Sequence, residues 1–404
     1  MSADAPIRRI APPDWLAHPP LAALLDALDD GRFVGGVVRD TLLGLPPGDL
    51  DLATPLEPRQ VVNRLERAGI RSVPTGVAHG TVTAILADGR PVEITTLRRD
   101  VATDGRRATV AFTADWAADA ARRDFTLNAL YFDRTGGVWD PIGGIEDCLA
   151  GRVRFVGEPL RRIDEDVLRI LRFYRFQARY GRAPADAAAR AACRARADRI
   201  NGLAGERLQT ETRKLLAAAD PAPTVRLMIE DGVLAAYLPA PFHPDRLAAL
   251  VGIEPKADSL RRLAALLDRG TGPVAAERLR LSTAERDRLA LLTDPQPIDP
   301  TAGDRVQRAA IHRWGPPLYR DFVLLATAAG RSPALRVPDL LALAGAWENP
   351  SLPIGGNDIR ALGVPAGPAV GALLRQVEAW WIEGDFRADR AACLDRLRRL
   401  VEAR

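Results

Sequence analysis

Hydrophobic and polar positions change rhythm near Gly151. Before it, from Phe33 to about Asp140, short β-branched runs punctuated by glycine predict strands at Phe33–Val38, Leu50–Ala53, Thr81–Leu86 and Pro91–Leu97, with helices between them. Asp115 is placed to cap a helix running through Arg123. Between Asp100 and Ala114 the chain is polar and aperiodic, which predicts a mobile surface loop. After Gly151 strand signals nearly vanish. Within Asp164–Tyr180, the residues Val167, Ile170, Leu171, Tyr174 and Ala178 follow the template of an amphipathic helix. Breakers at Asp220–Pro223, Pro239–Pro244 and Asp294–Ala302 divide the helical remainder, and the Pro/Gly cluster Pro350–Gly356 precedes a last helical segment ending in Arg396–Arg404. The expected class is mixed α+β, a small sheet-bearing unit followed by a helical one.

Composition narrows the partners. The chain has 404 residues, enough for several cores, and 47% are hydrophobic, which excludes a wholly disordered chain. A net charge of +4 permits an anionic partner. Lys214 and Lys256 are the only lysines, so nearly every cation is a guanidinium, the group suited to bidentate contact with phosphate and carboxylate. Alanine and arginine are inflated together, so biased codon usage accounts for this pattern more readily than selection for a ligand does. Cys148, Cys193 and Cys393 are odd in number and widely spaced, which fits neither a disulfide framework nor a cysteine zinc site and points to a reducing cytoplasm. Met1–Pro13 has no apolar h-region and no apolar run reaches spanning length, so neither export nor a membrane partner is expected. His18, His79, His243 and His312 form no His-Asp pair along the sequence, which argues against a histidine-based phosphohydrolase.

The densest chemical signal is Gly35-Gly36-Val37-Val38-Arg39-Asp40, followed closely by Asp49-Leu50-Asp51. A Gly-Gly step between a strand and a helix lets backbone amides approach a phosphate. Alternate strand residues share a face, so Asp49 and Asp51 project two carboxylates into one space, where their repulsion is relieved by divalent cations. Glu93, in Val92-Glu93-Ile94 on a neighbouring predicted strand, offers a third. Two Mg²⁺ ions held there would activate an attacking hydroxyl and clamp a triphosphate.

The order Gly-Gly, Arg-Asp, then Asp-x-Asp resembles the polymerase-β-like nucleotidyltransferase superfamily, in the branch of tRNA CCA-adding enzymes and bacterial poly(A) polymerases. Further motifs agree. Arg122-Arg123-Asp124-Phe125-Thr126-Leu127-Asn128-Ala129 looks like the second motif, whose Asp and Asn regions help select a ribose. Asp140-Pro141-Ile142-Gly143-Gly144 is similar to the third, a turn joining head to neck, with Cys148 where the family usually has leucine, read as packing and not as a nucleophile. Glu165-Asp166-Val167-Leu168-Arg169-Ile170-Leu171-Arg172 resembles the base-recognition helix. Asp166 and Arg169, three apart, would present an acceptor and a donor on one helix face and imitate a template base, with Glu165 bracing Arg169. Glu206-Arg207-Leu208 with Glu211 resembles the fifth motif, a neck helix supporting the nucleotide pocket.

The likeness covers about Phe33 to Leu216. It implies a nucleotidyltransferase head at 31–150 after an extension at 1–30, a helical neck with base recognition at 151–219, a helical body at 220–300 and an RNA-binding helical tail at 301–404. By resemblance, Asp49 and Asp51 hold metal, Glu93 joins them in catalysis, and Gly35, Gly36, Arg39, Arg122, Asp124, Asn128, Asp166, Arg169, Arg172 and Arg175 bind nucleotide. Gly76-Val77-Ala78-His79-Gly80-Thr81 looks like the CCA-adding form of its strand, with His79 structural and not a base. The implied reaction is template-independent addition of CCA, or part of it, to the 3′ end of tRNA from CTP and ATP with release of pyrophosphate. A poly(A) polymerase, an A-adding tRNA enzyme and an idle RNA-binding protein stay open. Arg179, Arg182, Arg190, Arg194, Arg196 and Arg199, with Arg396, Arg398 and Arg399, are candidate RNA phosphate contacts or ordinary solvated cations.

Overall fold

In the computed structural model the described residues are 5–76, 80–104, 107–182, 184–294 and 298–403, with backbone alone for Thr75, 100–104 and 107–110. Val77, Ala78 and His79 of the Gly76–Thr81 motif, and Gly105 and Arg106 of the expected loop, lie outside them. Two units divide the chain: Met1–Leu238 with Arg278–Arg280, and Pro239–Glu277 with Leu281–Arg404.

The first unit runs β1 (Arg8–Arg9), α1 (Pro19–Leu28), β2 (Arg32–Val34), α2 (Gly36–Leu42), β3 (Asp51–Thr54), α3 (Pro58–Arg67), β4 (Arg71–Gly76), β5 (Thr81–Ile85), β6 (Pro91–Thr96), β7 (Arg98–Asp104), β8 (Arg107–Phe112) and α4 (Trp116–Ala121). It continues with β9 (Tyr131–Phe132), β10 (Gly137–Trp139), α5 (Gly144–Ala150), α6 (Pro159–Glu165), α7 (Arg169–Tyr180), α8 (Ala187–Ala195), α9 (Gly205–Leu216) and α10 (Ala222–Glu230). Eight strands form one sheet in the order β1-β10-β9-β2-β3-β6-β5-β4. Within it β3 and β6 run parallel and the other neighbours antiparallel. Strand alternation supplies the core: Val92 and Ile94 of β6 and Leu52 of β3 are buried, whereas Glu93 is exposed.

Four expectations change. The first predicted strand stops at Val34, because Gly35 adopts φ 73° and α2 begins at Gly36. That left-handed turn is what the glycine permits. The predicted mobile loop over 100–114 is instead an antiparallel hairpin of β7 and β8 that pairs only with itself. The helix capped by Asp115 forms, with Asp115 accepting from the amides of Ala117 and Ala118, but ends at Ala121.

The fourth change matters most. The expected continuous helix over Asp164–Tyr180 is broken at Asp166, which has extended φ/ψ, and α7 begins only at Arg169. Asp166 Oδ1 accepts from the amide of Leu168 at 3.1 Å and its carbonyl from Arg169, a local turn that competes with the helix. Beyond the break α7 is buried on several sides, at Ile170, Leu171, Phe173, Tyr174, Phe176 and Tyr180. Phe125 and Phe155, with ring centroids 4.9 Å apart, pack against Phe173 and Phe176.

The second unit is helical, including Pro244–Val251, Ser259–Leu266, Thr283–Thr293, Asp304–Ala328, Val337–Ala346, Pro368–Glu383 and Arg390–Glu402. No helix among the described residues is long and apolar enough to cross a membrane. The absence of a His-Asp pair holds only along the sequence, because His243 Nε2 lies 3.0 Å from Asp268 Oδ1 in space.

Buried carboxylates tie the first unit together. The Asp231 side chain is fully buried and accepts from the Tyr174 hydroxyl (2.6 Å), Arg190 (2.7 and 2.9 Å) and Arg194 (2.6 Å). Removing one partner of such a cluster strands the others without solvent, so Asp231→Ala is expected to destabilise this unit by about 3–5 kcal/mol in urea titration. A loss below about 1 kcal/mol would show that solvent replaces the carboxylate freely.

Candidate functional site

Parallel register puts Asp51 directly beside Glu93, so the two side chains lie on one face of adjacent strands. Asp49 is an exposed residue in the bend before β3, close enough for its charge to act on Asp51. The Asp51 carboxyl is pushed up to about 6, first by burial, then by the negative charges of Glu93 and Asp49, while Arg123 pulls the other way. Three carboxylates therefore share one field. Among the described residues no three His, Cys, Asp or Glu side chains close into a metal cage.

The Gly35–Gly36 turn lies in the same field. A Cβ on Gly35 would stand 3.8 Å from Arg123 Nη1 and 3.8 Å from the Asn128 carbonyl, while one on Gly36 would stand 3.5 Å from Arg39 Nη2. Arg39, expected to cradle phosphate, is 6% exposed and turned inward. Its Nε donates to Asp40 Oδ1 (2.9 Å), Nη1 to Asn128 Oδ1 (2.7 Å) and Nη2 to the Tyr180 hydroxyl (2.6 Å). A buried guanidinium needs such partners, so here Arg39 braces the turn from behind. Asn128 is likewise satisfied at both ends, its Nδ2 donating to Asp124 Oδ1 at 3.1 Å.

Arg122 and Arg123 share Asp119, whose side chain is 1% exposed. Burial opposes the charge on Asp119, yet Arg123, Arg122 and the Tyr131 hydroxyl hold its carboxyl down to about 2. Asp124 accepts from Arg172 Nε at 2.8 Å. Burial alone would raise Asp124, but Arg172 and the hydrogen bonds from Asn128 and Phe125 keep it below the usual carboxylate range. Farther along α7, Arg175 Nε lies 2.7 Å from Glu211 of α9, and Arg172 stands 3.9 Å from the same carboxylate. Burial raises the Cys148 thiol to about 11, consistent with packing.

Asp166 and Arg169 do not share a helix face. Asp166 lies on the extended turn after α6 and accepts from Arg207 Nη2 at 2.8 and 3.1 Å, whereas Arg169 opens α7 and donates to Glu165 at 2.6 Å. The α6–α7 junction holds both, each with its own counter-ion. Among the arginines considered for RNA, Arg190 and Arg194 are joined to Asp231, and Arg196 and Arg199 to Asp164.

Asp119, Tyr131 and Tyr180 lie outside the motifs singled out along the sequence, whereas Arg123 and Arg207 lie within them. Asp119 had a readable signal, since it precedes two arginines by three and four positions on a predicted helix. Tyr131 and Tyr180 had none, because only tertiary contact brings them to the arginines.

Residues 31–154 match the family model of the poly A polymerase head domain, and residues 186–242 match a probable RNA and SrmB-binding site of polymerase A. The chain is 35% identical over 389 residues to the human mitochondrial CCA tRNA nucleotidyltransferase 1, covering 91% of this chain and 86% of the human protein. It is 38% identical over 231 residues to the CCA-adding enzyme of Leuconostoc mesenteroides, covering 57% and 56% of the two chains. A crystal structure of the Bacillus stearothermophilus CCA-adding enzyme in complex with CTP superposes with a TM-score of 0.72 at 25% identity, covering 96% of this chain and 98% of that one.

The raised Asp51 carboxyl gives a signed prediction. Its folded-state value of about 6 lies above the ordinary 3.8, so ionising it penalises the folded state. That penalty is absent below the ordinary value, grows up to about 6 and is constant above. Asp51→Asn is therefore expected to raise the melting temperature of chelator-treated protein by about 2–5 °C near neutral pH, and by less at about pH 4.5. An equal gain at both pH values would contradict the assigned cause.

Proposed function

The chain belongs to the CCA tRNA nucleotidyltransferase family, and from that premise we propose how its own residues extend a tRNA 3′ end. It is a nucleotidyltransferase that completes tRNA with CCA from CTP and ATP, without a template and with release of pyrophosphate. The observation that carries the chemistry is the register pairing of Asp51 with Glu93 beside the Gly35–Gly36 turn.

On this reading the triphosphate lies against Gly35 and Gly36, where the missing Cβ atoms leave room for backbone amides to approach it. Arg123 Nη1 faces that turn and supplies positive charge. Arg39 and Asn128 fix the turn from the protein side. Asp49 and Asp51, with Glu93 beside them, offer the hard oxygen donors that Mg²⁺ shares with substrate phosphates, and two such ions would lower the pKa of the tRNA 3′-hydroxyl and neutralise the leaving pyrophosphate.

Base choice falls to the α6–α7 junction. Cytosine and adenine each present an amino donor beside a ring-nitrogen acceptor. Asp166 accepts from the first and Arg169 donates to the second. Uracil and guanine reverse that order and leave both protein groups unmatched, which a desolvated site penalises strongly. Arg172 and Arg175, set on the same helix by Asp124 and Glu211, extend the guanidinium row along the nucleotide. For the acceptor strand, the exposed Arg179 and Arg182 of the first unit supply phosphate contacts, together with the outer edges of Arg190, Arg194, Arg196 and Arg199.

Transcripts of tRNA lacking CCA, CA or only A, incubated with Mg²⁺ and each nucleotide singly or together, are expected to gain the missing residues and stop. Unlimited growth on ATP alone would instead mark a poly(A) polymerase, and no extension of any transcript would reject the assignment. Asp166→Ala and Arg169→Ala are each expected to lower the CTP-over-UTP preference by about 10-fold or more while tRNA binding changes little. An unchanged preference would remove the base-reading role.

A further inference from the structure

The buried carboxylate of Asp119 accepts from two arginines, Arg122 and Arg123, and the second of them faces the Gly35–Gly36 turn. We propose that Asp119 is a positioning residue for the reaction: it fixes the Arg123 guanidinium so that only Nη1 is presented to the Gly35–Gly36 turn. The assignment rests on the reading of that turn as the triphosphate site.

Each oxygen of Asp119 has a defined load. Oδ1 accepts from Arg122 Nε (2.8 Å) and Nη2 (2.6 Å) and from the backbone amide of Arg98 (3.4 Å). Oδ2 accepts from Arg123 Nε (3.2 Å) and Nη2 (2.8 Å) and from the Tyr131 hydroxyl (2.8 Å). The side-on fork uses the Nε and Nη2 edge of Arg123, and the remaining corner, Nη1, is the atom nearest the Cβ position of Gly35, at 3.8 Å. A free arginine side chain samples many rotamers, so a planar two-point grip is what converts its charge into a fixed donor. The Tyr131 ring lies 5.5 Å from the Arg123 guanidinium carbon and closes its other side.

The same carboxylate also joins neighbouring parts of the head. Arg122 Nε donates to the Arg98 carbonyl at 3.1 Å, so the first residue of β7 is held on both its amide and its carbonyl. The Arg122 carbonyl accepts from Arg169 Nη2 at 3.5 Å. Asp119 thus ties the arginine that faces the glycine turn to the base of the hairpin.

The test is a double-mutant cycle of Asp119→Asn and Arg123→Ala, reading kcat/KM for CTP and ATP on tRNA transcripts, with circular-dichroism melts to correct for folded protein. Asp119→Asn keeps the shape and removes the charge. It is expected to lower kcat/KM for both nucleotides by about 10- to 100-fold, with the CTP-over-UTP ratio kept within about twofold. Arg123→Ala should lose as much, and the double variant no more than Arg123→Ala alone, because both changes remove one interaction. Full activity of Asp119→Asn, or losses that multiply in the double variant as a purely structural effect would, overturns the proposal. If Asp119→Asn does not fold, Arg123→Lys replaces it in the test: it keeps the charge but not the fork, and full activity of that variant also overturns the proposal. Asp49→Ala separates the two levels. An active Asp49→Ala defeats the reading of the site and the assignment with it, whereas an inactive Asp49→Ala beside a fully active Asp119→Asn defeats the assignment alone.

Discussion

Negative charges held side by side on neighbouring strands govern the head of this molecule. Parallel register sets Asp51 against Glu93, and Asp49 adds its charge from the preceding bend. The arrangement works against folding, since burial and like charge both oppose ionisation of Asp51. A sheet chosen for stability alone would carry neutral side chains there. Instead burial and like charge are concentrated on one group, the pattern expected where groups are tuned for chemistry.

The counterpart is the use of buried carboxylates to aim arginines. Asp119 holds Arg122 and Arg123, Asp124 holds Arg172, and Glu211 lies against Arg175. Burying such pairs costs solvation that their mutual attraction offsets only when geometry is good, so their worth lies in orientation more than in stability. Because lysine is nearly absent, almost every cation carries the planar fork that a carboxylate can grip at two points. One interaction type therefore holds both the arginine beside the glycine turn and those on α7.

Much of this was legible along the chain. The β3 and β6 strands announced themselves through buried apolar residues alternating with Asp51 and Glu93, and the Gly35-Gly36 step marked the turn before α2. Asp115 was read correctly as a cap. The break at Asp166 escaped notice because Val167 happens to sit where a helical stripe would place an apolar residue, while a side-chain hydrogen bond to Leu168 redirects the backbone. Arg39 looked like a phosphate ligand because nothing local reveals that Asn128 and Tyr180 stand within reach of its guanidinium.

Taken by itself, the amino-acid order determined the mixed α+β class, the carboxylates available for chemistry and the family likeness, because residue identity and short-range periodicity are local properties. Tertiary structure decided which of those groups face the site: it turned Arg39 inward, set Arg123 toward the glycine turn and separated Asp166 from Arg169 by a break in the helix. The reason is physical. A guanidinium or carboxylate takes its direction from partners 1 to 141 positions away, such as Asp40 and Tyr180 for Arg39, and the longer of those separations are invisible until the backbone has folded.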